Sequence, residues 1–187
     1  MHINNPFAYL ELIVQGIPFG KQCSFYGIPI VIRGKNSTIS IGNRFTLISG
    51  FLDNLVGLYQ RSVIIARDGG MVEIGNDVSM SGVTVYSFNH IKIGNNTTIG
   101  ANTKILDSDF HPVDAEIRLK NPDDKDNTKS APITIGENVF IGCNTLILKG
   151  VKIGDGAVIG AGSVVTKSIP EMCIAAGNPA KVIRRCE

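Results

Sequence analysis

Aliphatic side chains recur at every sixth residue through the C-terminal third of this chain, in the successive lines IGENVF, IGCNTL, ILKGVK, IGDGAV and IGAGSV. The positions are Ile135, Ile141, Ile147, Ile153 and Ile159, and Val165 continues the series. An amphipathic helix repeats at 3.6 residues and drifts out of phase with such a pattern, so helices are excluded for this region. The fifth place of each line holds Val139, Thr145, Val151, Ala157 and Ser163, all small or β-branched, and Gly, Asn and Asp crowd the places between. Short extended segments therefore alternate with residues that accept left-handed backbone or bond their own main chain, so the chain turns every six residues. Three such turns close a coil. Stacked coils pair backbone groups with their neighbours and bury the aliphatic positions in one continuous core, which an isolated coil cannot do.

The same lines occur earlier as IGNRFT from Ile41, IGNDVS from Ile74, IGNNTT from Ile93 and IGANTK from Ile99, followed by Ile105. Their phase slips between Ile41, Ile74 and Ile93. Thirty residues, still a multiple of six, separate Ile105 from Ile135. The coils are therefore expected to resume in register, with one long polar excursion over residues 107–132 looping out of the stack. Residues 1–28 lack the pattern and read as an N-terminal cap, in which a helix is an open alternative. The whole chain, 1–187, reads as a single all-β domain, a parallel β-helix of six-residue repeats.

Composition narrows the partners. A formal net charge of +2 gives no general affinity for nucleic acid or for an anionic membrane. The opening MHINNPFAYLELIVQG has no basic start and carries Glu11 inside its apolar stretch, unlike a secretory leader. No run approaches the ~18 apolar residues of a membrane span. Cys23, Cys143, Cys173 and Cys186 are widely spaced, without close pairs for zinc or a disulfide framework, and read as reduced thiols of a cytoplasmic protein.

Three stretches carry more than the repeat: DSDFHPVD at 107–114, IGAGSVVTKSIP at 159–170 and AAGNPAKVIR at 175–184. With the repeat they resemble the hexapeptide-repeat acyltransferases, in the branch of maltose and galactoside acetyltransferases and polysaccharide O-acetyltransferases. The resemblance runs from about Ile74 onward. It implies a left-handed β-helix, a homotrimer with active sites between subunits, and transfer of an acetyl group from acetyl-CoA to a hydroxyl of a sugar or polysaccharide precursor, without a metal. It also implies a cofactor site along the C-terminal coils. Gly142 and Cys143 stand where a backbone N–H would meet the thioester carbonyl, Ala161, Thr166 and Lys167 in the pantetheine and nucleotide groove, and Lys181 and Arg184 near the phosphates, with Arg185 adjacent.

His111 lies in DSDFHPVD, where the repeat breaks and where the resemblance places a catalytic histidine. Attack of a hydroxyl on a thioester requires a base, and an imidazole with an ordinary pKa of ~6.5 is substantially neutral near physiological pH. Asp107, Asp109 and Asp114 flank it. Of these, Asp109 is the expected orienting carboxylate. His90, just before a rung, reads as structural or acceptor-facing, and His2 as incidental. Ser81 and Tyr86 are candidate acceptor contacts, with rung packing as the alternative. Cys143 stands where the galactoside enzymes carry serine, which leaves open a thiol nucleophile, although a lone Cys in a rung usually packs.

Other functions of such a solenoid are N-acetyl transfer to an amino sugar, serine acetylation, a non-catalytic interaction module and a γ-class carbonic anhydrase. The last needs three histidine ligands. His90 and His111 would have to recruit His2.

Overall fold

The computed structural model describes residues 4–186. Helix α1 (Pro6–Val14) comes first, with Asn5 accepting the Phe7 N–H at its start and proline in its opening turn. Ala8 and Leu12 are its buried positions, and they join the core at the N-terminal end of the stack. Three-sided coils follow. They comprise β1 (Ser24–Tyr26), β2 (Ile30–Arg33) and β3 (Thr38–Ile41); then β4 (Thr46–Ile48), β5 (Val63–Ala66) and β6 (Met71–Ile74); then β7 (Ser79–Ser81), β8 (Thr84–Ser87) and β9 (His90–Ile93). The next coil has β10 (Thr98–Ile99), β11 (Lys104–Leu106) and, beyond the excursion with its helix α2 (Ala115–Lys120), β12 (Ile133–Ile135). Coils of β13 (Phe140–Ile141), β14 (Leu146–Leu148) and β15 (Lys152–Ile153), and of β16 (Val158–Ile159) and β17 (Val164–Val165), lead to a closing hairpin of β18 (Cys173–Gly177) and β19 (Ala180–Arg185).

Every strand pairs in parallel with its counterpart one coil away, except in the antiparallel closing hairpin. The result is three sheets: a first in the order β1-β4-β7-β10-β13-β16-β18-β19, a second of β17-β14-β11-β8-β5-β2 and a third of β15-β12-β9-β6-β3. The repeat positions face one another along the stack, as in Ile99↔Ile141↔Ile159 and Ile93↔Ile135↔Ile153. All of them are buried in one cluster running the length of the molecule. The coils do resume in register after the excursion, with Ile105↔Ile147 on the second sheet and Ile93↔Ile135 on the third.

The corners explain both the turning and the slips in phase. Asn36, Arg44, Asp77, Asn96, Asn102, Asn138 and Asn144 adopt left-handed backbone at successive corners. In the third coil the corner between first and second sheets is one residue short, Met80 to Val85. The next corner is two residues longer than the repeat, Val85 to Ile93, and adds Phe88 and Asn89. The larger slip, between Ile41 and Ile74, has causes the repeat reading passes over: a second excursion over residues 49–62, between β4 and β5, and a widened corner between β5 and β6. Solenoid pairing also starts earlier than the expected cap boundary of 28, with the Phe19↔Ile41 bridge and β1.

Candidate functional site

The long excursion leaves the edge between the second and third sheets at Asp107 and returns at Ala131. Asp107 is fully buried. Its carboxylate accepts from the Ser87 hydroxyl (2.7 Å), the Phe88 N–H (2.8 Å) and the Asn89 N–H (2.9 Å), so it clips the widened corner of the coil below. The Asp107 carbonyl accepts from Ala131 N–H, and Ser108 bridges Ser130, which closes the neck of the excursion. Asp114 caps α2 by accepting from the Glu116 and Ile117 N–H groups, and the Arg118 guanidinium holds the carbonyls of Pro112 and Val113. Lys125 pairs with Asp68 on the second coil at 2.8 Å, fastening the far limb to the solenoid. The Asp124 carboxylate accepts from Asn127 and Asp126, and its carbonyl from the Thr128 hydroxyl. The Asn127 amide foremost holds that carboxyl below the usual range.

His111 projects from this frame and is half exposed. Its Nδ1 lies 2.7 Å from the carbonyl oxygen of Pro122, with Asp123 Oδ1 at 3.9 Å. A carbonyl only accepts, so Nδ1 carries the hydrogen, and Nε2 of the neutral ring presents its lone pair. Phe110, immediately before it, is a bulky residue at φ 64°, held there by the rings of Tyr86 (5.1 Å) and Phe88 (5.7 Å). The expectation that Asp109 orients His111 is not met. Asp109 Oδ1 is 2.5 Å from Lys149 Nζ, on the corner after β14, and its Oδ2 is buried without a partner among the described residues. A nearby ammonium outcompetes an imidazole whose Nδ1–H already has an acceptor.

Tyr86 stacks on Phe88 rather than standing free, and Phe88 and Phe110 line a depression of about 290 Å³ beneath the excursion. Ser81 lines a different one, about 370 Å³, along the edge between first and second sheets, where Met80, Gly100, Phe140 and Cys143 also contribute. Asn54 and Val56 of the second excursion overhang this groove, and Phe51, Leu52 and Leu55 beside them are exposed. The sequence signal for that excursion was the 33-residue interval from Ile41 to Ile74, which no six-residue count accommodates. Phe88, Lys149 and the Pro122 carbonyl gave no signal, because their roles arise only when distant coils are stacked.

Gly142 and Cys143 differ as donors. The Gly142 N–H is committed to the Ile159 carbonyl at 2.7 Å, so it is not available to a ligand. At the edge between third and first sheets, three of the N–H groups that follow a corner glycine find a side chain of the next coil: Asn43 to Asn76, Asn76 to Asn95, Glu137 to Asp155. The matching residue on the next coil beyond Cys143 is Ala161, whose methyl accepts nothing. No side chain of that coil therefore takes up the Cys143 N–H. Among the other expected cofactor contacts, Ala161 follows β16 on the edge between first and second sheets, as Cys143 follows β13, whereas Thr166 and Lys167 follow β17 on the edge that bears the excursion. Lys181 and Arg184 lie on β19, opposite Ala176 and Ile174, and all five are exposed. The structure does not gather them at one corner of a single chain.

His90 Nε2 meets Glu73 Oε1 at 3.2 Å across neighbouring coils, and His2 lies outside the described residues. The cysteines are free, and burial raises the Cys23 thiol pKa. Among the described residues no group of three or more His, Cys, Asp or Glu is arranged to hold a metal ion, and no helix is long and apolar enough to cross a membrane.

The profile described as Bacterial transferase hexapeptide (six repeats) matches residues 132–167. WbbJ of Escherichia coli K12, whose name assigns it an O-acetyl transfer in lipopolysaccharide biosynthesis, is 34% identical over 170 residues, 89% of this chain and 81% of WbbJ. The chain belongs to the hexapeptide-repeat transferases. Galactoside O-acetyltransferase of the same organism is 44% identical over 117 residues, which cover 62% of this chain and 55% of that enzyme. Matched segments span about half or less of several such relatives, 36% of one yeast protein named as an acetyltransferase. Among solved structures, a point mutant of the N-acyltransferase AntD from Bacillus cereus, in complex with a dTDP-amino sugar and coenzyme A, shares the fold. Its TM-score is 0.75 at 22% identity, with 100% of this chain and 92% of AntD covered. A maltose O-acetyltransferase from Clostridium difficile 630 aligns with a TM-score of 0.53 at 25% identity, covering 99% of this chain and 79% of that one. The hexapeptide-repeat family accounts for the rungs.

Proposed function

We propose that the chain transfers an acetyl group from acetyl-CoA to a hydroxyl of a sugar or polysaccharide precursor, with His111 as general base. The observation that carries this reading is the imidazole geometry: Pro122 fixes Nδ1–H, and Nε2 is left as an oriented base on an excursion of the solenoid. In a ternary complex Nε2 takes the hydroxyl proton as the oxygen attacks the thioester carbonyl. Oxyanion charge then develops toward a backbone donor, the role suited to the Cys143 N–H. Collapse breaks the C–S bond, and the imidazolium returns its proton to the thiolate, releasing the acetyl ester and CoA. Meanwhile the Pro122 carbonyl stabilises the charged ring through the same hydrogen bond.

His111 and Cys143 stand on different edges of the prism, and the depressions near them share no lining residue. This separation supports a site completed by a second copy, in a left-handed homotrimer of about 60 kDa from 20.0 kDa chains. Sedimentation equilibrium at that mass is expected; a monomer would remove the donor from the base. Free CoA release across sugar, amino-sugar and serine acceptors tests the reaction. His111→Ala should lower kcat by about 10²–10⁴-fold, and Cys143→Ala should keep most turnover. Equal losses from both would instead support a thiol nucleophile, and faster turnover of amines would favour N-acetyl transfer.

A further inference from the structure

The depression beneath the excursion has a composition that the transferase reading does not by itself require. Phe88 and Phe110 line it, with ring centroids 5.7 Å apart and planes at 80°. Ser108, Thr128 and Ser130 also line it; the Thr128 hydroxyl donates to the Asp124 carbonyl, while the Ser108 and Ser130 hydroxyls accept from the Phe110 N–H and the Asn89 amide. At about 290 Å³ it sits at the lower end of small-molecule sites, room for one ring rather than a chain. Phe110 and Asp123 line it and flank His111, so a ligand here lies beside the base.

Two cations, Arg67 and Lys125, and two carboxylates, Asp68 and Asp123, line this depression, and they are not all paired with one another. Lys125 and Asp68 satisfy one another at 2.8 Å, and Asp123 is exposed beside the His111 ring. Arg67, on the corner between β5 and β6, has no carboxylate partner among the described residues. A guanidinium is a planar fork matched to carboxylate or phosphate, and aromatic faces accept the C–H face of a sugar while hydroxyls meet its polar edge. We propose that this depression binds a hexose carrying an anionic group, carboxylate or phosphate, with the ring on Phe88 and Phe110 and the anion on Arg67. This deepens the acetyl-transfer reading and rests on it for the reaction, though not for the binding.

Two measurements separate the two claims. The first is titration of the His111→Ala protein, which retains the depression, with glucuronate, glucose 1-phosphate and glucose, followed by saturation-transfer NMR. At least one anionic sugar should bind about 10- to 100-fold more tightly than glucose. Arg67→Gln added to that protein should bring the ratio near one, with Arg67→Lys between. Binding of glucuronate alone or of the phosphate alone identifies which anion the fork selects. The second is kcat/KM for the same acceptors with the active protein, where Arg67→Gln should act mainly through KM. Equal binding of all three sugars, no binding of any, or a ratio indifferent to Arg67→Gln overturns the proposal. Anion-selective binding without CoA release from any acceptor overturns acetyl transfer and leaves the site standing.

Discussion

Asp107→Asn tests whether the neck of the excursion is held by a buried carboxylate. The wild-type oxygens receive three donors: Phe88 N–H on Oδ1, and the Ser87 hydroxyl and Asn89 N–H on Oδ2. An amide retains one acceptor oxygen and replaces the other with NH₂. The Ser87 hydroxyl can reorient to accept, but in either amide orientation a backbone N–H faces a donor. A bond to a charged acceptor contributes about 1.5–3 kcal/mol, and an unsatisfied buried donor costs about 1–3 kcal/mol. Because the terms overlap, the expected destabilisation is about 2–3 kcal/mol, a fall in Tm on the order of 4–10 °C for a chain of this size. Since the chain has no Trp, unfolding is followed in urea by far-UV circular dichroism, at fixed protein concentration because association would shift the midpoint. Limited proteolysis within residues 109–129 should accelerate in parallel. Stability within about 0.5 kcal/mol of wild type, with unchanged proteolysis, would refute the assignment of Asp107 as the clip.

Gly142→Ala would set a Cβ 2.5 Å from the Ala161 backbone nitrogen, so neighbouring coils must part. A loss of about 1–3 kcal/mol in urea unfolding is expected, and a neutral result would show that the stack opens freely there. Arg44 holds the Asp77 carboxyl below the usual carboxylate range, chiefly through their hydrogen bond. The stabilisation from that pair is therefore present above the ordinary carboxylate range and lost as pH falls through the lowered pKa. Arg44→Gln should reduce Tm slightly at neutral pH and converge on wild type in strong acid; parallel curves throughout would contradict this.

The rungs were legible because a six-residue beat reflects purely local geometry: each aliphatic position faces inward whatever its neighbours are. Ile135 through Val165 are accordingly buried, and the small fifth-place residues Val139 to Ser163 with them. The second excursion was less legible, because residues 49–62 are apolar without being periodic. Phe51, Leu52 and Leu55 resemble core residues yet are exposed. Site chemistry was legible only in part. DSDFHPVD drew attention to His111, but not to which acidic neighbour would touch it. Asp107 turned inward to bind the preceding coil, Asp114 capped a helix and Asp109 met Lys149, forty residues away. The group that orients the imidazole is a main-chain carbonyl, and any residue type could have supplied it.

The narrow neck at Ser108 and Ser130 brings both limbs of the excursion back to nearly the same point on the stack. Entry and exit coincide, so the intervening segment can change in length or composition while the strands on either side keep their pairing. Chemistry and scaffold are thereby uncoupled: such a solenoid can acquire a new specificity by exchanging a cassette at one corner, leaving its packed interior untouched.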